Sequence, residues 1–123
     1  MSENTIIRTA QEGIISFGDY RLQEKTKVSD YEVSGDLYKV KTFYEITKLE
    51  KNGLFVYESV QGTAVEDFMA DACGVSFVVS GQENAQITLG LCEESEYELT
   101  VDEAVIGKMK TNISGKLSFS VDL

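Results

Sequence analysis

From residue 75 the chain runs through Val75-Ser76-Phe77-Val78-Val79, Ile87-Thr88-Leu89-Gly90-Leu91, Tyr97-Glu98-Leu99-Thr100-Val101-Asp102 and Leu117-Ser118-Phe119-Ser120-Val121-Asp122. In each run bulky apolar residues recur at every second position. Successive side chains on a pleated strand point to opposite faces, so this period sends one set to a core and the other towards solvent. The pattern predicts four amphipathic strands and, with them, an all-β chain.

Turn residues punctuate the rest at short intervals: Gly18-Asp19, Ser34-Gly35-Asp36, Lys51-Asn52-Gly53, Gln61-Gly62, Cys73-Gly74, Gly81-Gln82-Glu83-Asn84, Asp102-Glu103 and Ser114-Gly115. Short runs between closely spaced turns read as a sandwich or barrel, of which a β-sandwich is the expected form. In the first half Tyr38, Val40, Thr42, Tyr44 and Ile46 share one face of what the spacing predicts to be a long strand, with Lys39, Lys41, Glu45 and Thr47 largely opposite. Asn52-Gly53 then supplies the two positive-φ residues of a type I′ turn, so this strand and Leu54 to Ser59 are expected to form a hairpin. Residues 63–73 carry two readings. Thr63 and Glu66 have capping-box spacing, and Val65, Phe68, Met69 and Ala72 share a helical face ahead of Gly74, whereas the surrounding pattern is strand-like. Either form buries Phe68.

The length, 123 residues and 13.6 kDa, suits one domain, 1–123, with a hairpin-rich half over 1–65 and a second half over 66–123. An apolar fraction of 42% with six Tyr and six Phe is enough to build a core. The net charge of −10 repels phosphate backbones and anionic headgroups, so neither nucleic acid nor a membrane is the expected partner. Met1-Ser2-Glu3-Asn4-Thr5 lacks the basic start of a signal peptide, and no run is long enough to span a bilayer, which reads as cytoplasmic. Cys73 and Cys92 are too far apart for a CxxC pair; they are either free thiols or, in an exported form, one disulfide.

Gln86-Ile87-Thr88-Leu89-Gly90-Leu91, followed after five residues by Tyr97-Glu98-Leu99-Thr100-Val101, resembles fibronectin type III and related immunoglobulin-like domains. The resemblance implies a tyrosine corner, in which the Tyr97 ring caps the core and its hydroxyl bonds back to the connecting backbone. Glu93 stands where those families often have proline. Thr111-Asn112-Ile113-Ser114-Gly115-Lys116-Leu117 is similar to the terminal hairpin of bacterial immunoglobulin-like modules, so residues 74 to 123 carry an immunoglobulin-like expectation. Gly35-Asp36-Leu37-Tyr38-Lys39-Val40-Lys41-Thr42, Asn52-Gly53 and Tyr57-Glu58-Ser59 are also similar to small proteins of Gram-positive anaerobes that carry the label endosialidase. Sialidases hold the substrate carboxylate with three arginines, and this chain has two, Arg8 and Arg21. Lysine does not replace a bidentate guanidinium without loss.

Histidine is absent, which removes the commonest general base, His-dependent triads and most zinc sites. Neither GxGxxG nor a Walker pattern occurs, and no cofactor or metal is expected. Glu45, Glu58, Glu66 and Asp67 are candidates for a glycosidase-like acid/base pair, which needs two carboxyl groups flanking a bond in a cleft; nothing in the sequence indicates a cleft, and a solvated strand face is the simpler explanation. The Glu93-Glu94-Ser95-Glu96 run lacks calcium-loop spacing. Tyr38, Tyr44 and Tyr57 are the candidate ligand-binding residues, because flat aromatic faces stack on sugars or anchor protein interfaces; tyrosines on alternating strands also serve as core. The expectation is a non-catalytic interaction or assembly module with a protein or glycan partner, open to homo-oligomer formation through strand pairing. The alternatives are a carbohydrate-binding module and a carboxylate-dependent glycoside hydrolase.

Overall fold

The computed structural model describes residues 6–11, 14–71, 74–82, 84–101 and 104–123. Among them the chain forms strands alone: β1 (Ile7–Gln11), β2 (Ile14–Phe17), β3 (Thr26–Val33), β4 (Asp36–Phe43), β5 (Ile46–Lys51), β6 (Leu54–Val60), β7 (Ala64–Asp71), β8 (Gly74–Ser80), β9 (Ala85–Gly90), β10 (Glu96–Val101), β11 (Ala104–Lys110) and β12 (Lys116–Val121). They build a four-stranded sheet in the order β1-β2-β7-β8, a six-stranded sheet in the order β12-β9-β6-β5-β4-β3, and a separate β10-β11 hairpin. The two halves of the chain interleave. β9 pairs with β6, Tyr57 lying opposite Leu89, and β7 and β8 extend the sheet begun by β1 and β2.

The two larger sheets face each other across an apolar core. Phe17, Phe68 and Phe77 from the four-stranded sheet surround Tyr57 of the six-stranded sheet, with edge-to-face contacts from Tyr57 to Phe17 (5.3 Å), Phe68 (6.4 Å) and Phe77 (5.7 Å) between ring centroids. Such ring pairs contribute about 0.5–1.5 kcal/mol each beyond their area. Ile7, Ile15 and Val65 complete one inner face, and Val40, Leu49, Ile87 and Leu89 the other. The sandwich is all-β, as the period-two pattern predicts.

The Asn52-Gly53 turn forms as expected, with Lys51 paired to Leu54 and φ of 52° at Asn52 and 80° at Gly53, but the strand it joins to β6 is β5 and not the one through 38–46. Two expectations change. The long strand through 38–46 is broken at Tyr44-Glu45, where Phe43 pairs directly with Ile46 and a two-residue turn reverses the chain. Val40 and Thr42 do face the core, but Ile46 emerges on the outer face, because its neighbours Thr47 and Leu49 take the buried positions. Neither turn residue is glycine or asparagine. The turn is held from outside: the Tyr44 N–H donates to the Leu22 carbonyl at 2.9 Å, and the Gly62 N–H donates to the Tyr44 carbonyl at 3.0 Å.

The second change concerns 63–73, where the helical alternative gives way to strand β7. Asp67 has φ 56°, and the β7-β8 register slips between Glu66 and Met69. This bulge inserts one residue, so Val65 and Phe68, three apart, both reach the core. A bulged strand thus imitates the spacing of a helical face. Met69 is exposed, and Ala72 lies outside the described residues.

Candidate functional site

The outer face of the six-stranded sheet is built by cross-strand register. Lys27 of β3 stands opposite Lys41 of β4, and Lys41 stands opposite Lys48 of β5. The row continues through Glu58 of β6, Thr88 of β9 and Ser118 of β12, whose hydroxyls are 2.8 Å from that of Thr88. Lys39, one row away, faces Glu50. Like charges directly opposite each other destabilise a sheet. Two such contacts sit side by side here.

Among the described residues, the carboxylate in ion-pair contact with the row is that of Glu50, 3.7 Å from Lys48 Nζ. Among the described residues Lys41 has no ion-pair partner. Its partial burial, reinforced by Lys25, Lys48, Lys27 and Lys39, holds its pKa below the ordinary lysine value. Lys25, just before β3, places its ammonium 5.8 Å from the centroid of the Phe43 ring. Beside this end of the row lies an open groove of about 480 Å³ lined by Lys25, Lys41, Phe43, Glu45, Ile46, Val60 and Gln61. In a chain of net charge −10, five of the eleven basic residues therefore gather on one face of β3 to β5.

The three tyrosines singled out above do not form one surface. Tyr57 is fully buried, and burial pushes its pKa up to about 12. As a core residue it offers no face for stacking, which corrects its candidacy as a ligand-binding residue. Tyr38 is half-buried on β4, and Tyr44 is 44% exposed in the β4-β5 turn, edge-on to Phe43 at 5.4 Å. Alternation alone places Tyr57 on a strand without saying which sheet will cover it.

Around Tyr57 runs a buried hydroxyl chain. The Asp19 N–H donates to Thr42 Oγ1 at 2.9 Å, Thr42 Oγ1 lies 2.8 Å from Thr47 Oγ1, and Thr47 Oγ1 donates to the Thr63 carbonyl at 2.8 Å. Because the Thr47 proton is committed to that carbonyl, Thr42 must be the donor to Thr47. Thr63 Oγ1 in turn lies 2.8 Å from both Tyr57 Oη and Ser59 Oγ. Gly18, at φ 94°, passes against the Thr63 carbonyl where a Cβ has no room. No buried side-chain polar atom among the described residues lacks a partner. The chain is satisfied internally, which marks it as a structural element of the core.

The candidate carboxylates are not gathered. Glu58 lies in the outer row opposite Lys48, Glu45 borders the groove, and Glu66 and Asp67 belong to the other sheet, where Glu66 pairs with Arg8 at 3.2 Å. Among the described residues no group of three Cys, Asp or Glu could hold a metal ion, and no helix is long and apolar enough to cross a membrane. Cys92 carries a free, exposed thiol; Cys73 lies outside the described residues. The Tyr97 hydroxyl accepts the Cys92 N–H at 3.1 Å, but its ring belongs to the separate β10-β11 hairpin and is not among the residues packed on the core, so only the hydroxyl half of the expected corner is present.

The opposite flank of the sandwich is differently built. β1 and β3 close one side, where Thr9 Oγ1 meets Tyr31 Oη at 3.0 Å. On the other side β8 ends the four-stranded sheet and β12 ends the six-stranded one. Their inward residues Val75, Phe77, Val79, Phe119 and Val121 are only partly buried, in contrast to the fully buried Ile15, Val40 and Leu49. β8, Gly-Val-Ser-Phe-Val-Val-Ser, carries no charge. The other edges do: β1 has Arg8, β3 has Lys27, Asp30 and Glu32 with a bulge before Tyr31, and β12 has Lys116. A scan against known family models, a search of curated proteins and a search of solved structures each returned no match for this chain.

Proposed function

We propose that this protein is a non-catalytic assembly module that pairs with a second copy of itself through β8. One observation carries the reading: β8 is the sheet edge without a charged guard, and the apolar row beneath it is only half covered. Exposed edges present unpaired backbone donors and acceptors, and sheets usually protect them with charges, bulges or short length. Among the described residues, positions 75–80 of β8 carry no such charge or bulge. Its sequence also suits a two-fold partner. Antiparallel pairing centred on Phe77 sets Val75 against Val79 and Ser76 against Val78, and it adds a second layer of apolar contact at Phe77 and Val79. Edge pairing of this kind makes one continuous sheet across the two copies.

The test uses Val78→Lys, at a side chain that is 59% exposed on the outer face and so outside the core. Sedimentation equilibrium from micromolar to millimolar protein should show a dimer for the wild-type chain and a monomer for the variant. With Cys73 and Cys92 replaced by serine, the pair Ser76→Cys and Val78→Cys should cross-link two chains under mild oxidation. A wild-type monomer throughout that range rejects the proposal. So does a dimer that survives Val78→Lys and gives no cross-link.

A further inference from the structure

Independently of self-association, we infer that Lys25, Lys27 and Lys41, with Lys48 behind them, form a binding site for a compact oxyanion of the phosphate type. Register fixes the arrangement. Lys27, Lys41 and Lys48 occupy adjacent strands in one row, and strands are spaced about 4.8 Å apart, so the three side chains rise from a strip about 10 Å wide. An anion carrying two or more charges fits within that width and touches several ammonium groups at once, as lysines serve phosphates elsewhere.

The charges are not already satisfied. Of the five lysines on this face, Lys48 is in ion-pair contact with Glu50 and Lys39 stands opposite Glu50 in the register, whereas Lys25, Lys27 and Lys41 have no carboxylate in ion-pair contact among the described residues. Lys41 matters most, because it sits at the centre of the row and also lines the groove. The groove supplies the second half of the site: Phe43, Ile46 and Val60 offer an apolar wall, Val60 being 53% exposed, and the Gln61 amide offers a polar contact. A phosphate placed on Lys25 and Lys41 lays the body to which it is attached along that wall.

Charge argues for a small ligand. The remainder of the surface is strongly acidic in a chain of net −10. Fields reach about 8 Å at physiological ionic strength. A long polyanion leaves the lysine strip at both ends and meets repulsion, whereas a compact oxyanion stays within it.

Binding is read by amide chemical shifts and calorimetry with pyrophosphate as the probe, beside vesicles containing phosphatidic acid. The expected result is saturable shifts centred on residues 25, 27, 41 and 48, an affinity at least tenfold weaker in Lys27→Gln/Lys41→Gln, and less than a twofold change in the control Lys108→Gln/Lys110→Gln. Pyrophosphate binding without vesicle binding points to a soluble phosphorylated ligand; binding to both points to the same phosphate chemistry on a lipid headgroup. Unsaturable shifts, equal affinity in the two double variants, or vesicle binding without pyrophosphate binding each overturn the inference. Because Lys27 and Lys41 lie on the six-stranded sheet and β8 on the other, the two sites fail or succeed separately.

Discussion

Thr63→Val isolates the buried hydroxyl chain from every other contribution to the fold. Valine has nearly the same shape as threonine, so the change removes one oxygen and leaves the packing in place. Thr63 is fully buried, and its Oγ1 is 2.8 Å from both Tyr57 Oη and Ser59 Oγ. Its loss strands two buried hydroxyls. Each stranded group costs about 1–3 kcal/mol, which gives a loss of about 2–6 kcal/mol and a fall in Tm of about 4 °C per kcal/mol for a domain of this size. Tyr57→Phe is milder, about 1 kcal/mol, because Thr63 keeps Ser59 as a partner. The double variant strands Ser59 alone. It is therefore expected to be more stable than the sum of the single losses predicts, by about 1 kcal/mol or more. Urea unfolding followed by far-ultraviolet circular dichroism measures all three. A Thr63→Val loss below about 0.5 kcal/mol, or strict additivity in the double variant, refutes the claim that these hydroxyls act as one satisfied unit.

Two other consequences follow from the same region. Gly18→Ala forces a side chain into a left-handed conformation at φ 94° and drives its methyl into the Thr63 carbonyl, so it should cost well over about 1–2 kcal/mol in the same unfolding assay. Gly35→Ala, also at positive φ but with open space around it, should cost only about 1 kcal/mol, the conformational part. Tyr57 should be the last tyrosine to ionise when absorbance at the tyrosinate band is followed with pH, because burial raises its pKa from 10.0 to about 12. Between those values the unfolded chain has lost a proton that the folded chain keeps. Stability from this group is thus complete below pH 10 and falls by about 2–3 kcal/mol as pH rises to 12, a decline that Tyr57→Phe should abolish.

The strands of the second half were legible because their side chains alternate with few interruptions, and the β5-β6 turn because Asn52-Gly53 carries its own positive-φ chemistry. Where local sequence misled, a tertiary feature intervened. The Tyr44-Glu45 turn has no turn residues of its own and depends on Tyr44 donating to the Leu22 carbonyl and accepting from the Gly62 N–H, groups that only the folded chain brings near. The bulge at Asp67 changed the period of β7 from two to three over one step, and that step is indistinguishable from a helical one in sequence. Tyr57 reads as a surface or a core residue until the second sheet is placed over it. The lysine row was invisible for a different reason. Lys27, Lys41 and Lys48 are separated by fourteen and seven positions, and only the register of two hairpins lines them up. Net charge concealed the feature further, since an overall −10 suggests an acidic surface throughout.

The assembly proposal rests on one edge, and one measurement addresses it most directly: oxidative cross-linking of the chain carrying Ser76→Cys and Val78→Cys, with both native cysteines replaced, read by non-reducing electrophoresis alongside sedimentation equilibrium. Pairing through β8 predicts a covalent dimer that forms rapidly at the concentrations where the wild-type chain sediments as a dimer. A chain that stays monomeric and uncross-linked across the same range contradicts it.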